Sequence, residues 1–141
     1  LLREEQESGS DLAGEIDGCI RNGQLVPAPI IVALLKKAIF AEAEKPRLKF
    51  LVDGFPRSIG NLKAWFEAFS DDDLQVRFAL YLDCPQETMR ERLLERGKTS
   101  GRADDNAEAV LKRFATFEKE SLPVVEALDR MGMVSNCPNL S

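Results

Sequence analysis

The feature that most constrains the fold is a short apolar run, Lys49–Val52, which is closed by Asp53-Gly54. An apolar run of this length, bounded by turn residues, is typical of a buried strand. Phe78–Leu82 is a second run of the same kind, and between the two lies a segment with apolar residues at helical spacing, for which Ser58 is the candidate N-cap. Strands that alternate with helices predict an α/β fold of three layers, in which helices cover both faces of a parallel sheet.

Further helices are predicted from caps and apolar stripes. Ser10 is the candidate cap of a helix that runs to about Asn22, where Asn22-Gly23 supplies a left-handed stop. Pro27 or Pro29 opens an apolar helix that ends near Ala43. Later helices are predicted to begin at Cys84-Pro85, Asn106 and Ser121, the last of them ending at Gly132.

Composition excludes several classes of function. The chain has 141 residues, no histidine and a net charge of −5, so catalysis or metal binding by histidine is excluded, and a phosphate-backbone contact with nucleic acid is disfavoured. Three widely spaced cysteines form no disulfide or zinc pattern, and the longest apolar stretch, Ile30–Leu35, is far too short to span a bilayer. We therefore expect a cytoplasmic monomer that binds neither nucleic acid nor membranes.

Three segments together resemble one known family. Gly23–Pro27, Asp53–Arg57 and Gly97–Asn106 resemble signatures of the adenylate kinase and UMP-CMP kinase family, and they occur in the family's order, within a similarity that runs from Leu1 to about Val134. The resemblance implies a P-loop NTPase-like three-layer fold and a kinase that binds ATP, Mg²⁺ and a nucleoside monophosphate. It divides the chain into a helical monophosphate-binding segment (1–46), a core (47–96), a short lid (97–106) and a second core segment (107–141).

Phosphoryl transfer requires positive charge placed against crowded phosphates, and the guanidinium fork of arginine supplies it in a planar, permanently charged form. By resemblance, the catalytic arginines are Arg57, Arg96, Arg102 and Arg113. Arg96 would bind the donor ATP. The acceptor nucleotide would be bound by Arg3, Gln24, Leu25, Val26, Gly54, Arg57, Asn61, Arg102 and Arg113.

Several of these residues also have a purely structural interpretation. Asp53 resembles the carboxylate that orders the water shell of Mg²⁺ in the family, but an aspartate at a strand end is also a common turn cap. Leu25 and Val26 would pack at a helix entrance with or without a ligand. Arg3 lies between apolar and acidic residues, as on a solvated helix face.

Asn61 carries the prediction of the acceptor base. Adenylate kinases of the family usually have glutamine at this position, whereas UMP-CMP kinases resemble this chain in having asparagine. The shorter amide predicts a pyrimidine acceptor, CMP or UMP, with AMP as the alternative. An exposed helix asparagine with no ligand is the structural interpretation.

The chain departs from the family pattern near both ends. None of its nine glycines forms the Gly-x-x-x-x-Gly-Lys loop that cradles donor phosphates. Residues after Val134 do not resemble the last strand and closing helix of the family. Two interpretations remain: part of an active kinase, which the retained arginines favour, or a non-catalytic nucleotide-binding protein. Leu1–Glu5 resembles the middle of a helix, so we expect a missing N-terminus and little turnover from this chain alone.

Overall fold

The computed structural model describes residues 1–42, 49–70, 74–100 and 107–138. Its helices are α1 (Leu2–Glu7), α2 (Ala13–Arg21), α3 (Ala28–Ala41), α4 (Ile59–Ala68), α5 (Gln86–Gly97), α6 (Ala107–Thr116) and α7 (Leu122–Arg130). A π-helical turn, Phe117–Ser121, joins α6 directly to α7. The strands are β1 (Ala79–Asp83) and β2 (Val134–Pro138). The cap predicted at Asn106 lies outside the described residues.

The two strands form a parallel pair, as the α/β pattern predicts. Ala79 lies opposite Val134 and Asp83 lies opposite Pro138. The chain turns from α7 into β2 at Gly132, whose φ of +68° is readily adopted only by glycine. The expectation that no strand follows Val134 is therefore wrong. β2 pairs with β1 through backbone groups, so it needs no resemblance in side-chain sequence.

The prediction of a buried strand at Lys49–Val52 is also wrong. Leu51 is 88% exposed and Phe50 is 37% exposed. A strand requires a hydrogen-bonded neighbour, and within the described part of the chain β1 pairs with β2 alone. Val52 still packs against the core. The turn prediction holds, because Gly54 follows this run with a φ of +67°.

Helix α4 connects two apolar clusters. One cluster joins α3 to α4 and consists of Val32, Leu35, Ile39, Trp65 and Phe69. The other joins α4 to α7 beneath the sheet and consists of Leu62, Val124 and Leu128, with Ala79 and Val134 packed against it. Because α4 contributes to both clusters, its amino-terminal end is held in a fixed place relative to α3, α7 and the strands.

The cap predictions had mixed outcomes. Ser58 caps α4 as predicted, since its Oγ accepts a hydrogen bond from the Asn61 N–H at 3.1 Å. Gly23 has a φ of +66° after α2, which confirms the predicted stop. The cap at Ser10 is wrong, because α2 begins at Ala13 after a backbone turn that the Ala13 N–H closes onto the Ser10 carbonyl.

Cys19, Cys84 and Cys137 are all free thiols in the structure. Among the described residues, every helix is too short or too polar to cross a bilayer.

Candidate functional site

The candidate site centres on the loop Asp53–Arg57, which leads into α4. The Phe55–Pro56 peptide is cis. The Arg57 side chain folds back over the loop, and its Nε donates a hydrogen bond to the Gly54 carbonyl oxygen at 2.5 Å. A Cβ at Gly54 would collide with Nη2 of Arg57 and lie 3.2 Å from its Cζ. Position 54 therefore favours glycine because of its positive φ, and any larger residue would also push the Arg57 guanidinium out of its place over the loop.

Buried side chains hold the backbone of Arg57 from two sides. Its N–H donates to Oδ1 of Asn61 at 3.1 Å, and its carbonyl accepts from Oγ of Ser121 at 2.8 Å. Asn61 is 1% exposed and Ser121 is 8% exposed. Because hydrogen bonds between buried groups do not exchange freely with water, Arg57 leaves the protein surface from a fixed backbone position.

The charge of Arg57 is influenced by two other site residues. Partial desolvation lowers the pKa of Arg57, the positive charge of Arg113 lowers it further, and Asp53 acts in the opposite direction. The side chain is only partly desolvated, since part of it is exposed, and arginine stays protonated at any physiological pH. Two guanidinium groups within electrostatic range repel each other, and a bound anion would relieve that repulsion. The arrangement suits a phosphate.

Helix α6 brings Arg113 against the turn at Gly23. A Cβ built on Gly23 would lie 3.3 Å from Cβ of Lys112 and 3.8 Å from Cγ of Arg113. Thr116, on the next turn of α6, places its Oγ1 3.1 Å from the Gly23 carbonyl oxygen. The turn, the Arg57 loop and the helix that carries Arg113 therefore meet. We call this region the arginine corner and define it as residues 23–26, 53–61 and 112–121.

Three predicted binding residues follow Gly23 in the arginine corner. Gln24 is exposed, Leu25 is half-buried and Val26 is 5% exposed. The Gln24 N–H donates to the Cys19 carbonyl at 2.9 Å, which fastens this segment to the end of α2. Val26 therefore has the packing role that its apolar side chain indicates. A backbone contact of this segment with a nucleotide stays a prediction.

The remaining predicted residues lie elsewhere or outside the described residues. Arg3 is exposed on α1, which packs on α2, and Arg96 is exposed near the carboxyl end of α5, which contacts α6. Arg102 lies outside the described residues. Asp53 is exposed in the corner, and over the described residues no three His, Cys, Asp or Glu side chains are grouped to hold a metal ion. The roles of these four residues stay predictions.

The structure shows the surroundings of Asn61, which the sequence alone did not define. Its burial excludes the interpretation as an exposed helix residue. Its Oδ1 is turned towards the Arg57 N–H, so the amide orientation is fixed by a backbone donor. This hydrogen bond positions Arg57, and a contact of Asn61 with a base stays a prediction.

Sequence reasoning missed two hydroxyl groups of the corner, those of Thr116 and Ser121. Ser121 was predicted only as the beginning of a helix, but its side chain makes no cap bond to α7 and instead reaches a residue 64 positions away in the chain. The hydroxyl of Thr116 contacts Gly23, which lies 93 positions away in the chain. No local pattern encodes such contacts. The only available signal was Pro123, because a proline in a continuous helix disturbs the turn before it.

Comparison with known proteins gives a consistent result. The sequence profile of the family described as "Adenylate kinase" matches residues 1–133. The chain is 46% identical to a uridylate kinase of Saccharomyces cerevisiae, over 95% of the chain and 64% of that protein. It is 40% identical to a UMP-CMP kinase of Danio rerio and 41% identical to one of Homo sapiens, in each case over 95% of the chain and 69% of the relative. The chain spans about two thirds of the length of these relatives.

Proposed function

The chain belongs to the adenylate kinase family, and we propose that it is a nucleoside monophosphate kinase that transfers the γ-phosphate of ATP reversibly to CMP or UMP. The observation that carries the proposal is that the loop of Arg57 and the helix of Arg113 meet at the Gly23 turn, through the Ser121–Arg57 hydrogen bond and the packing of Arg113 against Gly23. The relatives named uridylate kinase and UMP-CMP kinase support a pyrimidine acceptor.

Arg57 and Arg113 would bind the phosphate of the acceptor. Nε of Arg57 donates to the Gly54 carbonyl and Nη2 lies close to Gly54, so the guanidinium is held against the loop in one orientation. A guanidinium fork of this kind binds two phosphate oxygens at once. Holding the acceptor phosphate in one orientation aligns it with the donor, which is the main requirement of phosphoryl transfer.

Asn61 and the segment Gln24–Val26 would select the base. Because Oδ1 of Asn61 accepts from Arg57, Nδ2 is the amide group left to donate to a base, and this 1% exposed side chain would have to become more accessible when a nucleotide binds. Cytosine and uracil can accept such a hydrogen bond through a ring carbonyl, and adenine can accept one through a ring nitrogen, so the donor alone does not choose between them. The preference for CMP and UMP over AMP therefore rests on the names of the relatives.

The donor side of the proposal rests on the family alone. Arg96 would bind ATP, and Arg102 would close over the phosphates with Arg113. On the acceptor side, Arg3 would contact the acceptor phosphate by the same family resemblance. Mg²⁺ prefers oxygen ligands and keeps several of its waters, and the single exposed carboxylate of Asp53 suits a contact through such a water. When bound, the ion would neutralise charge on the phosphates.

The proposal is tested first by binding, because binding of the acceptor does not require transfer. Isothermal titration with CMP, UMP and AMP is expected to show tighter binding of both pyrimidine nucleotides. A coupled assay for ADP formation with ATP and Mg²⁺ then tests transfer to the same three acceptors. AMP as the preferred ligand would contradict the pyrimidine assignment, and no binding of any monophosphate would contradict the kinase proposal itself.

A further inference from the structure

We infer that Ser121 and Thr116 are positioning residues, which fasten the Arg57 loop and the Gly23 turn to the helix that carries Arg113. The inference rests on the proposed function for the identity of the site, which is an acceptor-phosphate site. The hydrogen bonds of Ser121 and Thr116 are observed independently of that function. Neither hydroxyl belongs to the segments that carry the family resemblance in the sequence, and neither was predicted as a site residue.

Ser121 makes the stronger of the two contacts. Its Oγ donates to the Arg57 carbonyl at 2.8 Å from a nearly buried position. Thr116 Oγ1 lies 3.1 Å from the Gly23 carbonyl but also 2.8 Å from the Lys112 carbonyl of its own helix, and one hydroxyl proton is shared between them. Removal of the Ser121 hydroxyl would leave the Arg57 carbonyl without this partner.

The π-helical turn accounts for the alignment of the two hydroxyls. In a regular α-helix, residues five apart point in directions about 140° apart, so Thr116 and Ser121 would not share a face. Here the Leu122 N–H donates to the Phe117 carbonyl, five residues earlier, so the turn is wider than in an α-helix and the angle between the two side chains is reduced. Pro123, which has no N–H to continue the α-helical pattern, follows directly.

This arrangement opposes a repulsion that the site would otherwise experience. Arg57 and Arg113 carry like charges, and without a bound phosphate their electrostatic interaction favours separation. Arg113, Thr116 and Ser121 belong to one continuous helical segment, so the hydrogen bond from Ser121 fixes the backbone of Arg57 relative to the helix that carries Arg113. A site that is already arranged loses less conformational entropy when the ligand binds.

The test compares Ser121→Ala with Ser121→Thr, which keeps the hydroxyl, and with Ser135→Ala, a matched loss of an exposed serine hydroxyl on β2. Two quantities are measured: the affinity for CMP and UMP by titration, and the rate of amide hydrogen exchange in residues 54–58 without ligand. Ser121→Ala is expected to weaken binding roughly 3- to 10-fold, as for the loss of one hydrogen bond. It is also expected to accelerate exchange in the loop, whereas Ser121→Thr and Ser135→Ala change neither.

A second variant covers the case in which Ser121→Ala does not fold. Thr116→Val removes a hydroxyl without changing the shape of the side chain, and it is expected to weaken binding by roughly 2-fold, because the proton is shared. It should also accelerate exchange near Gly23, and Thr116→Ser should restore both values.

Two results separate this inference from the proposed function. If the parent binds CMP or UMP and the hydroxyl-deleted variants bind equally well with unchanged exchange, the positioning inference is overturned and the proposed function stands. If the parent binds no monophosphate, the proposed function fails. The exchange rates alone then decide the inference: faster exchange in Ser121→Ala supports it, and an unchanged rate overturns it.

Discussion

The arginine corner and the sheet are stabilised by different means. In the corner, buried polar side chains each hold one backbone group, as Asn61 and Ser121 do for Arg57. In the sheet, β1 has one face packed against the α4–α7 cluster through Ala79, while Leu80 and Leu82 on the other side are 52% and 66% exposed. The corner thus depends on directed hydrogen bonds, and the sheet depends on apolar burial on one face.

This difference separates ligand binding from folding. Apolar burial is non-directional and supplies most of the free energy of folding, whereas a hydrogen bond contributes little net stability but fixes a position. Changes beneath the sheet should therefore unfold the chain with no selective effect on the ligand. Changes to the polar side chains of the corner should alter binding with little effect on folding.

The largest effect is expected beneath the sheet, from Leu128→Ala compared with Leu82→Ala. Leu128 is 6% exposed in the α4–α7 cluster, so its truncation should lower the free energy of unfolding by about 2–5 kcal/mol. The same truncation at Leu82, on the exposed side of β1, should change it by no more than about 0.5 kcal/mol. Urea denaturation measures both. Equal losses would show that Leu82 is covered in solution and would remove the contrast between the two faces.

The second effect concerns Arg57→Ala, with Arg77→Ala as the matched loss of an exposed arginine outside the corner. A charge-assisted hydrogen bond contributes about 1.5–3 kcal/mol, so Arg57→Ala should weaken binding of CMP and UMP roughly 10- to 100-fold. Its melting temperature should change little, because the loss of the hydrogen bond to Gly54 is offset by the removal of a repulsion with Arg113. Arg77→Ala should leave the affinity unchanged. A large loss of stability in Arg57→Ala would contradict the separation of binding from folding.

The third effect separates backbone strain from the contact with Arg57, through Gly54→Ala and Gly9→Ala. Both glycines have a positive φ, +67° and +69°, so each alanine should lower the free energy of unfolding by about 1–2 kcal/mol. Only at Gly54 would the new Cβ collide with Arg57, since Gly9 has open space around it. Gly54→Ala should therefore also weaken nucleotide binding, and Gly9→Ala should not. Equal affinities in the two variants would refute the role of this contact.

What could be predicted from the sequence depends on whether a feature is set by neighbouring or by distant residues. Apolar periodicity is local, so the helices, β1 and the Gly54 turn could be predicted from neighbouring residues. Lys49–Val52 could not be assigned correctly, because a strand depends on a partner elsewhere in the chain. β2 was missed for the complementary reason, since its pairing with β1 uses backbone groups that carry no side-chain pattern.

The same distinction between local and distant contacts applies to the residues of the site. Arg57 and Gly54 could be predicted because both lie in one five-residue motif, whereas Ser121 and Thr116 could not. Their partners are distant in the chain, and the π-helical turn that aligns them changes the helical period on which sequence reasoning depends.

The smallest effect is expected where the two regions meet, at Tyr81 of β1, whose ring stacks on Phe117 of the π-helical turn at 6.4 Å between centroids. Desolvation raises the pKa of Tyr81 above 10.0, and the charge of Asp83 raises it further. The folded state therefore favours the neutral phenol, so this contribution to stability is complete below the unfolded pKa and is lost as pH rises through the folded value.

Tyr81 is the only tyrosine in the chain, so tyrosinate absorbance reports its ionisation directly. The midpoint should be higher in the native protein than in urea. Tyr81→Phe should remove this part of the alkaline loss of stability while leaving nucleotide affinity at neutral pH unchanged, because the ring contact is kept. A native midpoint at or below the denatured one would mean that the stacked ring is solvated, and that β1 and the π-helical turn are not packed together in solution.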